Sequence, residues 1–410
     1  MKVIIFGVGE GYLLQSDKLA QEYDIVALAD NSEEKQKLMV HGLPVHPLKT
    51  VVEEYDYEGI VITTDSPINS EMRNELLNLG VPSDKIILQP RLKIHPFLID
   101  PQFFALNSTS EEKKQLFANN IELVFLELSS KCNRRCWFCP NTYIDRHSEQ
   151  ILMSDEVFNK VLLELKEVNY DADISLTYFN EPLLNINMED RIREIKRILP
   201  NAKVHFNTNG DYLTRERLES LEKSGLDRVL VTHYIDYAKD EWTYEGAVKA
   251  IESKAATLDL IPKFYTLPNN VTCLAAVKCG NLNVILHTQN MRTFGIDRGG
   301  ALSDSELTKS ESRWRLCYFP FSEVVIDYRG NIVVCSSFHT GVKAHQDFIL
   351  GNVADDTIYD IFAGEKASKF RKALINDIST PPCNTCNLYF DTLVLNPANE
   401  DIRERPRYRR

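Results

Sequence analysis

Seven of the nine cysteines in this 410-residue chain fall into two groups with the spacing of metal ligands. Cys132, Cys136 and Cys139 lie in SSKCNRRCWFCPN, directly after the strand-like run IELVFLEL, while Cys317, Cys335, Cys383 and Cys386 gather towards the C-terminus. A disulfide framework does not account for them. The start, MKVIIFGVGE, has one lysine and then a short run leading into glycines, unlike a secretory signal with its apolar stretch and small-residue cleavage site. A cytoplasmic location is expected, and in a reducing compartment grouped thiols point to metal. Only Cys273 and Cys279 stand outside the two groups.

Composition excludes several partners. A formal net charge of −12 disfavours nucleic acid and anionic membrane surfaces, which attract basic proteins. No stretch of eighteen apolar residues exists to span a membrane. With 43% hydrophobic and 26% charged residues, the chain reads as globular, and its length exceeds one ordinary core.

The expected fold class is α/β. Residues 1–96 read as a Rossmann-like parallel sheet, with strands at VIIF, IVALAD, GIVITTD and KIILQP and a helix over INSEMRNELLNLG closed by Gly80. Residues 97–120 read as a connector containing a polar helix. Over 121–310, strands at ISLTYF, KVHFNTNG, RVLVTH and NVILHTQ alternate with helices, the signature of a partial (β/α)6 barrel. Ser154 and Thr214 are expected to start two of these helices and Gly225 to close one. Residues 311–392 suggest a small α+β extension carrying four cysteines, and 393–410 a basic tail.

Thiolates are soft ligands suited to iron–sulfur clusters, and three in one tight loop leave one iron of a cubane open. A structural zinc loop with a distant fourth ligand is the alternative. Cys132-x3-Cys136-x-Phe138-Cys139, at the end of a first barrel strand, resembles the signature of the radical S-adenosylmethionine (SAM) superfamily. The resemblance extends along the barrel. Asn180 and Glu181 stand where the family has a Gly-Gly-Glu-like segment for the SAM amino group, with the glycines replaced. Thr208, Asn209 and Gly210 match the family's T-N-G strand end, and Thr232 stands where a Ser or Thr often meets the cofactor. Arg298, in GIDRGGAL, resembles a barrel-end arginine that would approach the SAM carboxylate or a substrate anion. Phe138 occupies the aromatic position whose backbone lies near adenine in that family. His233 is a candidate for facing substrate, with a packed histidine as the alternative.

The second group, Cys317-x12-Gly330-x4-Cys335 followed by Cys383-x2-Cys386, resembles the auxiliary-cluster extension called twitch, a shorter SPASM domain. No cysteine follows Cys386, so the resemblance implies one auxiliary 4Fe–4S cluster beside the SAM-binding one. Four thiols in two pairs also suit structural zinc.

The family's first step is removal of a hydrogen atom by a 5′-deoxyadenosyl radical after reduction by a flavodoxin- or ferredoxin-type donor. Oxidation then requires an electron acceptor, and epimerisation a thiol that returns hydrogen. Cys273 and Cys279 are the candidates for that thiol, with burial as small apolar residues the alternative. Gly7-x-Gly9-x-Gly11 after a strand, with Asp30 ending the next, suggests a nucleotide site in which Asp30 accepts a ribose hydroxyl. That segment resembles small Rossmann domains attached to sugar-tailoring enzymes, which implies a carbohydrate-like substrate: a sugar, nucleotide sugar or cyclitol. A peptide maturase and a non-catalytic metal- or nucleotide-binding scaffold are the competing readings.

Overall fold

The structure, a computed structural model, describes residues 1–9, 12, 16–40, 42–63, 68–88, 101–234, 241–265, 272–302, 317, 319–375, 381–383 and 386. It divides into two compact units, Met1–Asp100 and Pro101–Arg410.

In the first unit, β1 (Lys2–Phe6), β2 (Asp24–Ala29), β3 (Met39–Val40), β4 (Leu43–His46), β5 (Gly59–Ile62) and β6 (Ile86–Leu88) form a sheet in the order β3-β4-β2-β1-β5-β6. Every pairing is parallel except β3 with β4. Helices α1 (Ser16–Glu22), α2 (Leu48–Glu54) and α3 (Ile68–Asn78) connect the strands. Alternate strand residues enter different cores: Ile4, Phe6, Ile60 and Ile62 on one face, and Val3, Ile5, Leu28 and Val61 on the other. Burial on both faces explains the unbroken apolar runs in the sequence. The expected α/β unit is present, with the short β3–β4 hairpin added.

The second unit starts before the expected barrel. α4 (Ser110–Asn120), read from sequence as a connector, carries a capping box: Glu112 N donates to Thr109 Oγ1 at 3.3 Å and Thr109 N to the Glu112 carboxylate at 2.7 Å. Its Phe117 packs edge-on against Tyr359 and Phe362 of α9 (Ile358–Phe362), at 5.7 and 5.6 Å between ring centroids. The helix therefore belongs to the second unit's core.

That unit contains β7 (Leu123–Leu126), β8 (Asp173–Ser175), β9 (Lys203–Thr208), β10 (Arg228–Thr232), β11 (Lys263–Tyr265), β12 (Thr272–Cys279), β13 (Leu282–Gln289), β14 (Glu323–Ile326), β15 (Asn331–Val333) and β16 (Ile349–Asn352). They make one sheet, ordered β11-β12-β13-β10-β9-β8-β7-β14-β15-β16. The run from β13 to β14 is parallel throughout, giving the six parallel strands of a partial barrel. The intervening helices are α5 (Asp155–Glu167), α6 (Met188–Ile198), α7 (Arg215–Lys223) and α8 (Tyr244–Thr257), and α10 (Glu365–Ile375) follows near the C-terminus. Ser154 and Thr214 cap α5 and α7 as the sequence suggests, and Gly225 has φ +92°.

Two features depart from the sequence reading. The strand expected over ISLTYF stops at Ser175, where the chain turns and Tyr178 N donates to Asn180 Oδ1 at 3.0 Å. The expected boundary near residue 311 does not interrupt the sheet, because β14 pairs with β7 from Glu323↔Leu123 to Ile326↔Leu126. The basic tail lies outside the described residues.

Candidate active site and metal centres

β7 runs into Glu127, which is fully buried and paired with Arg146 at 2.9 Å. Burial alone would disfavour charge on Arg146, and Glu127 more than offsets it. Arg146 also donates to Ser130 O at 3.0 Å, and its carbonyl accepts Cys132 N at 2.9 Å. This buried pair anchors the start of the cysteine loop. The loop then folds back on itself, with Cys139 N donating to Cys136 O at 2.9 Å.

The three thiols are half-buried, and each environment favours the neutral form. Burial pushes Cys136 up to about 12, with the neighbouring Cys139 and Cys132 adding to the rise. Cys132 and Cys139 are raised by burial as well, Cys139 against the opposing charge of Arg298. Phe138 is buried in a small apolar cluster with Met291 and Leu302, and Tyr234 lies 5.0 Å from its ring.

Glu181 and Thr208 meet beside this loop. Both are buried, and Thr208 Oγ1 donates to Glu181 Oε1 at 2.5 Å. Asn209 N donates to Oε2 at 2.9 Å and Leu183 N to Oε1 at 3.1 Å. Glu181 N donates to Lys131 O at 2.8 Å, which ties the carboxylate's own backbone to the residue before Cys132. Burial pushes the Glu181 carboxyl upward while these donors oppose it. Asn180 is buried and turned inward, its amide at 3.4 Å from Leu176 O. The replaced glycines thus still leave a fixed carboxylate.

Thr232 ends β10 and is buried, with Tyr234 beside it. Arg298 adopts φ +53°, directly before Gly299 and Gly300 at +61° and +75°. Its guanidinium lies 5.7 Å from the Phe179 ring centre, and its buried Nε has no hydrogen-bond partner among the described residues. His233 is exposed at the surface of this region, and its backbone N donates to His287 O at 2.8 Å.

Cys273 and Cys279 are buried on β12. With strand period two they share a face with Ala275 and Val277, opposite Leu274, which packs with Ile285 and Leu230. The cysteine face is the helix-covered one: α8 packs on β12, and Tyr244 at its start lies beside Cys273. The hydrogen-donor expectation is corrected on this ground. Both thiols lie on the face of the sheet opposite the one that carries Thr232.

The four later cysteines are buried and line one small pocket together with Gly299 and Phe338. Cys335 follows β15, and burial together with Cys317, Glu323 and Cys383 drives its thiol well upward. Gly330 makes the β14–β15 turn at φ +83°, where a β-carbon would stand 2.9 Å from Val353 Cγ2. His345 Nε2 lies 2.7 Å from Gly299 O, joining this region to the segment that carries Arg298. Among the described residues, no three His, Cys, Asp or Glu side chains converge on a single metal ion.

The profile described as the Radical SAM superfamily matches residues 126–264, spanning the first cysteine loop and the strands β8 to β10 beside it. This chain is a radical SAM enzyme. A profile described as an iron-sulfur cluster-binding domain, SPASM, matches 317–387, and one described as C2185-like, N-terminal, matches 1–87. The S-adenosyl-L-methionine-dependent 2-deoxy-scyllo-inosamine dehydrogenase of Niallia circulans is 24% identical over 269 residues, covering 65% of this chain and 92% of that protein. The tungsten-containing aldehyde ferredoxin oxidoreductase cofactor-modifying protein of Pyrococcus furiosus is 29% identical over 112 residues, 27% of this chain and 30% of that one. Among solved structures, BtrN in complex with AdoMet and 2-DOIA aligns at 22% identity and TM-score 0.47, over 65% of this chain and 93% of that chain. The radical SAM and SPASM domains of this radical SAM enzyme imply SAM and two 4Fe–4S clusters as its cofactors. No helix among the described residues is long and apolar enough to cross a membrane.

In the first unit, the Asp30 carboxylate is committed internally. It accepts Val8 N at 2.8 Å, Ser32 N at 2.9 Å and Lys35 Nζ at 3.0 Å. The residue expected to accept a ribose hydroxyl is thus already held by three donors of its own unit. Gly7 has φ +97°, and its carbonyl accepts Thr63 Oγ1 at 2.8 Å. The Lys35 ammonium lies 3.6 Å from the position of a β-carbon on Gly9. Gly11 lies outside the described residues.

Sequence reasoning missed the Glu127–Arg146 pair and the residues around Asp211 that bind the cysteine loop. Glu127 has a faint signal, an acidic residue in the apolar run IELVFLEL. The partners of Asp211 have none, being 77 and 78 residues away.

Proposed function

We propose that Cys132, Cys136 and Cys139 hold the SAM-binding cluster, that Cys317, Cys335, Cys383 and Cys386 hold the auxiliary one, and that the protein oxidises a hydroxyl-bearing carbon of a cyclitol or related sugar. The observation that carries oxidation over epimerisation is the burial of Cys273 and Cys279 on the face of β12 opposite the one continuous with Thr232. All other cysteines belong to the two ligand sets, so no thiol remains to return a hydrogen atom. The Niallia circulans relative, named as a cyclitol dehydrogenase, supports the substrate class.

When bound, the clusters and SAM supply a 5′-deoxyadenosyl radical and an acceptor for one electron. The chain supplies position. Glu181, immobilised by Thr208 and Asn209, presents carboxylate oxygen to the SAM ammonium. Arg298, whose buried Nε has no partner among the described residues, offers a donor to the SAM carboxylate. The apolar cluster around Phe138 excludes water beside the adenine. Asn180 and Thr232 complete the pocket wall. A flavodoxin- or ferredoxin-type protein would deliver the reducing electron.

The test is anaerobic incubation of reconstituted enzyme with SAM, reductant and a panel of cyclitols, aminocyclitols and nucleotide sugars. One panel member should give 5′-deoxyadenosine together with a product two mass units lighter. An epimerised product of unchanged mass would overturn the oxidation reading.

A further inference from the structure

We infer that Arg134 and Asp211 are positioning residues that lock the Cys132–Cys139 loop to the strand end carrying Glu181's partners. Resting on the proposed SAM site, this assigns the alignment of thiols and carboxylate to a side-chain clamp outside both.

Arg134 lies between the first two loop cysteines, and Asp211 follows the turn that ends β9. The guanidinium grips the carboxylate with two parallel bonds, Nε to Oδ2 at 2.7 Å and Nη2 to Oδ1 at 2.5 Å. Asn133 Nδ2 donates to the same Oδ2 at 2.6 Å. From there the network runs back to the pocket: Asn209 Nδ2 donates to Asn133 Oδ1 at 2.8 Å, and Asn209 N to Glu181 Oε2 at 2.9 Å. Asp211 N donates to Asn209 Oδ1 at 3.0 Å, closing the ring.

Two further contacts stiffen the clamp. The Arg134 guanidinium lies 5.9 Å from the Tyr234 ring centre, which brings in the chain beyond β10. Lys254 Nζ of α8 donates to Gly210 O at 2.6 Å, holding the turn from below. Gly210 has φ +74°, and a β-carbon there would stand 2.7 Å from Val231 Cγ1, so the turn admits no other residue without strain.

An isolated exposed ion pair contributes little, but a bidentate arginine within a hydrogen-bonded network is the geometry in which a pair does matter. The two side chains are 30% and 33% exposed. Loss of the clamp would release the loop from the Glu181 side, and misplacement by about 1 Å costs on the order of 100-fold in a positioned reaction.

The experiment uses full-length protein, reconstituted anaerobically, as wild type, Asp211→Asn, Arg134→Gln and the charge-swapped R134D/D211R. Iron per chain is measured first. SAM is then titrated against the reduced cluster by electron paramagnetic resonance. Both single variants should hold wild-type iron but need about tenfold or more SAM for the half-maximal spectral change, and the swap should recover part of that loss. An unaltered titration in both single variants overturns the inference. So does loss of half the iron in Asp211→Asn, which would make the clamp a requirement for assembly alone. A wild type that holds iron but shows no response to SAM would overturn the SAM site itself, and the clamp's role with it.

Discussion

Replacing Gly330 with alanine tests whether the spacing Cys317-x12-Gly330-x4-Cys335 is set by the backbone. At φ +83° a residue with a β-carbon is disfavoured by about 1–2 kcal/mol. The added methyl would also stand 2.9 Å from Val353 Cγ2, 3.1 Å from Asn352 Oδ1 and 3.3 Å from Val157 Cγ1. Val353 is fully buried and its branched side chain has few rotamers, so the neighbours cannot withdraw easily. Overpacking of this kind costs about 1–3 kcal/mol. The two effects together predict destabilisation by about 2–5 kcal/mol, a urea midpoint lower by about 1 M for a unit with a slope near 3 kcal/mol per M. The assay is urea unfolding of the metal-free protein followed by tryptophan fluorescence. All three tryptophans, Trp137, Trp242 and Trp314, lie in the second unit, so the signal reports on that unit alone. A midpoint shift below about 0.2 M, equivalent to about 0.5 kcal/mol, would refute the reasoning.

Three other outcomes are expected. Iron should fall from about eight to about four per chain both in a Cys132/Cys136/Cys139 triple alanine variant and in a Cys383/Cys386 double alanine variant; equal iron in wild type and either variant removes that set of ligands. Cys273→Ser and Cys279→Ser should leave substrate oxidation within about twofold of wild type, because both thiols are buried on the face of β12 opposite Thr232; a product that changes with either substitution would place a thiol at the substrate. Burial pushes Glu323 up to about 8, above its unfolded value near 4.5, so its contribution to stability is full below the lower value and disappears as pH rises through the higher one. Glu323→Gln should therefore gain on wild type, by a few kcal/mol at most, between pH 5 and about 9 in urea unfolding of the metal-free protein; a pH-independent difference counts against the buried neutral carboxyl.

The parallel strands and most helices were legible in the sequence because both faces of β1, β5 and β10 are largely buried or half-buried and their apolar runs end at turn residues. The antiparallel edge was not. NNVTCLAAVKCGN drew attention for its cysteines, yet Gly280-Asn281 between two apolar runs is a hairpin turn, and Gly280 indeed has φ +59°. The cysteine spacing and Glu181 were readable as a pattern. The groups that hold them, Arg146 under Glu127 and Arg134 on Asp211, were not, since nothing local marks a partner brought close only by the fold. Asp30 shows the converse. An acidic residue at the right strand end has the pattern of a ligand-binding group, but here three donors from its own unit, Val8 N, Ser32 N and Lys35 Nζ, already engage it.

The β7–β14 ladder bears on how this protein can be taken apart. β14 is the strand that covers the outer edge of β7, with Glu122 N on Ser322 O and Glu127 N on Ile326 O, each at 2.9 Å. A chain cut near residue 310 would bare that edge in one fragment and strip β14 of its partner in the other, leaving two open templates for aggregation. The cysteine-bearing C-terminal segment is thus not a cassette to be swapped among related enzymes at its sequence boundary. An exchange that keeps both halves folded has to carry β7 along with β14.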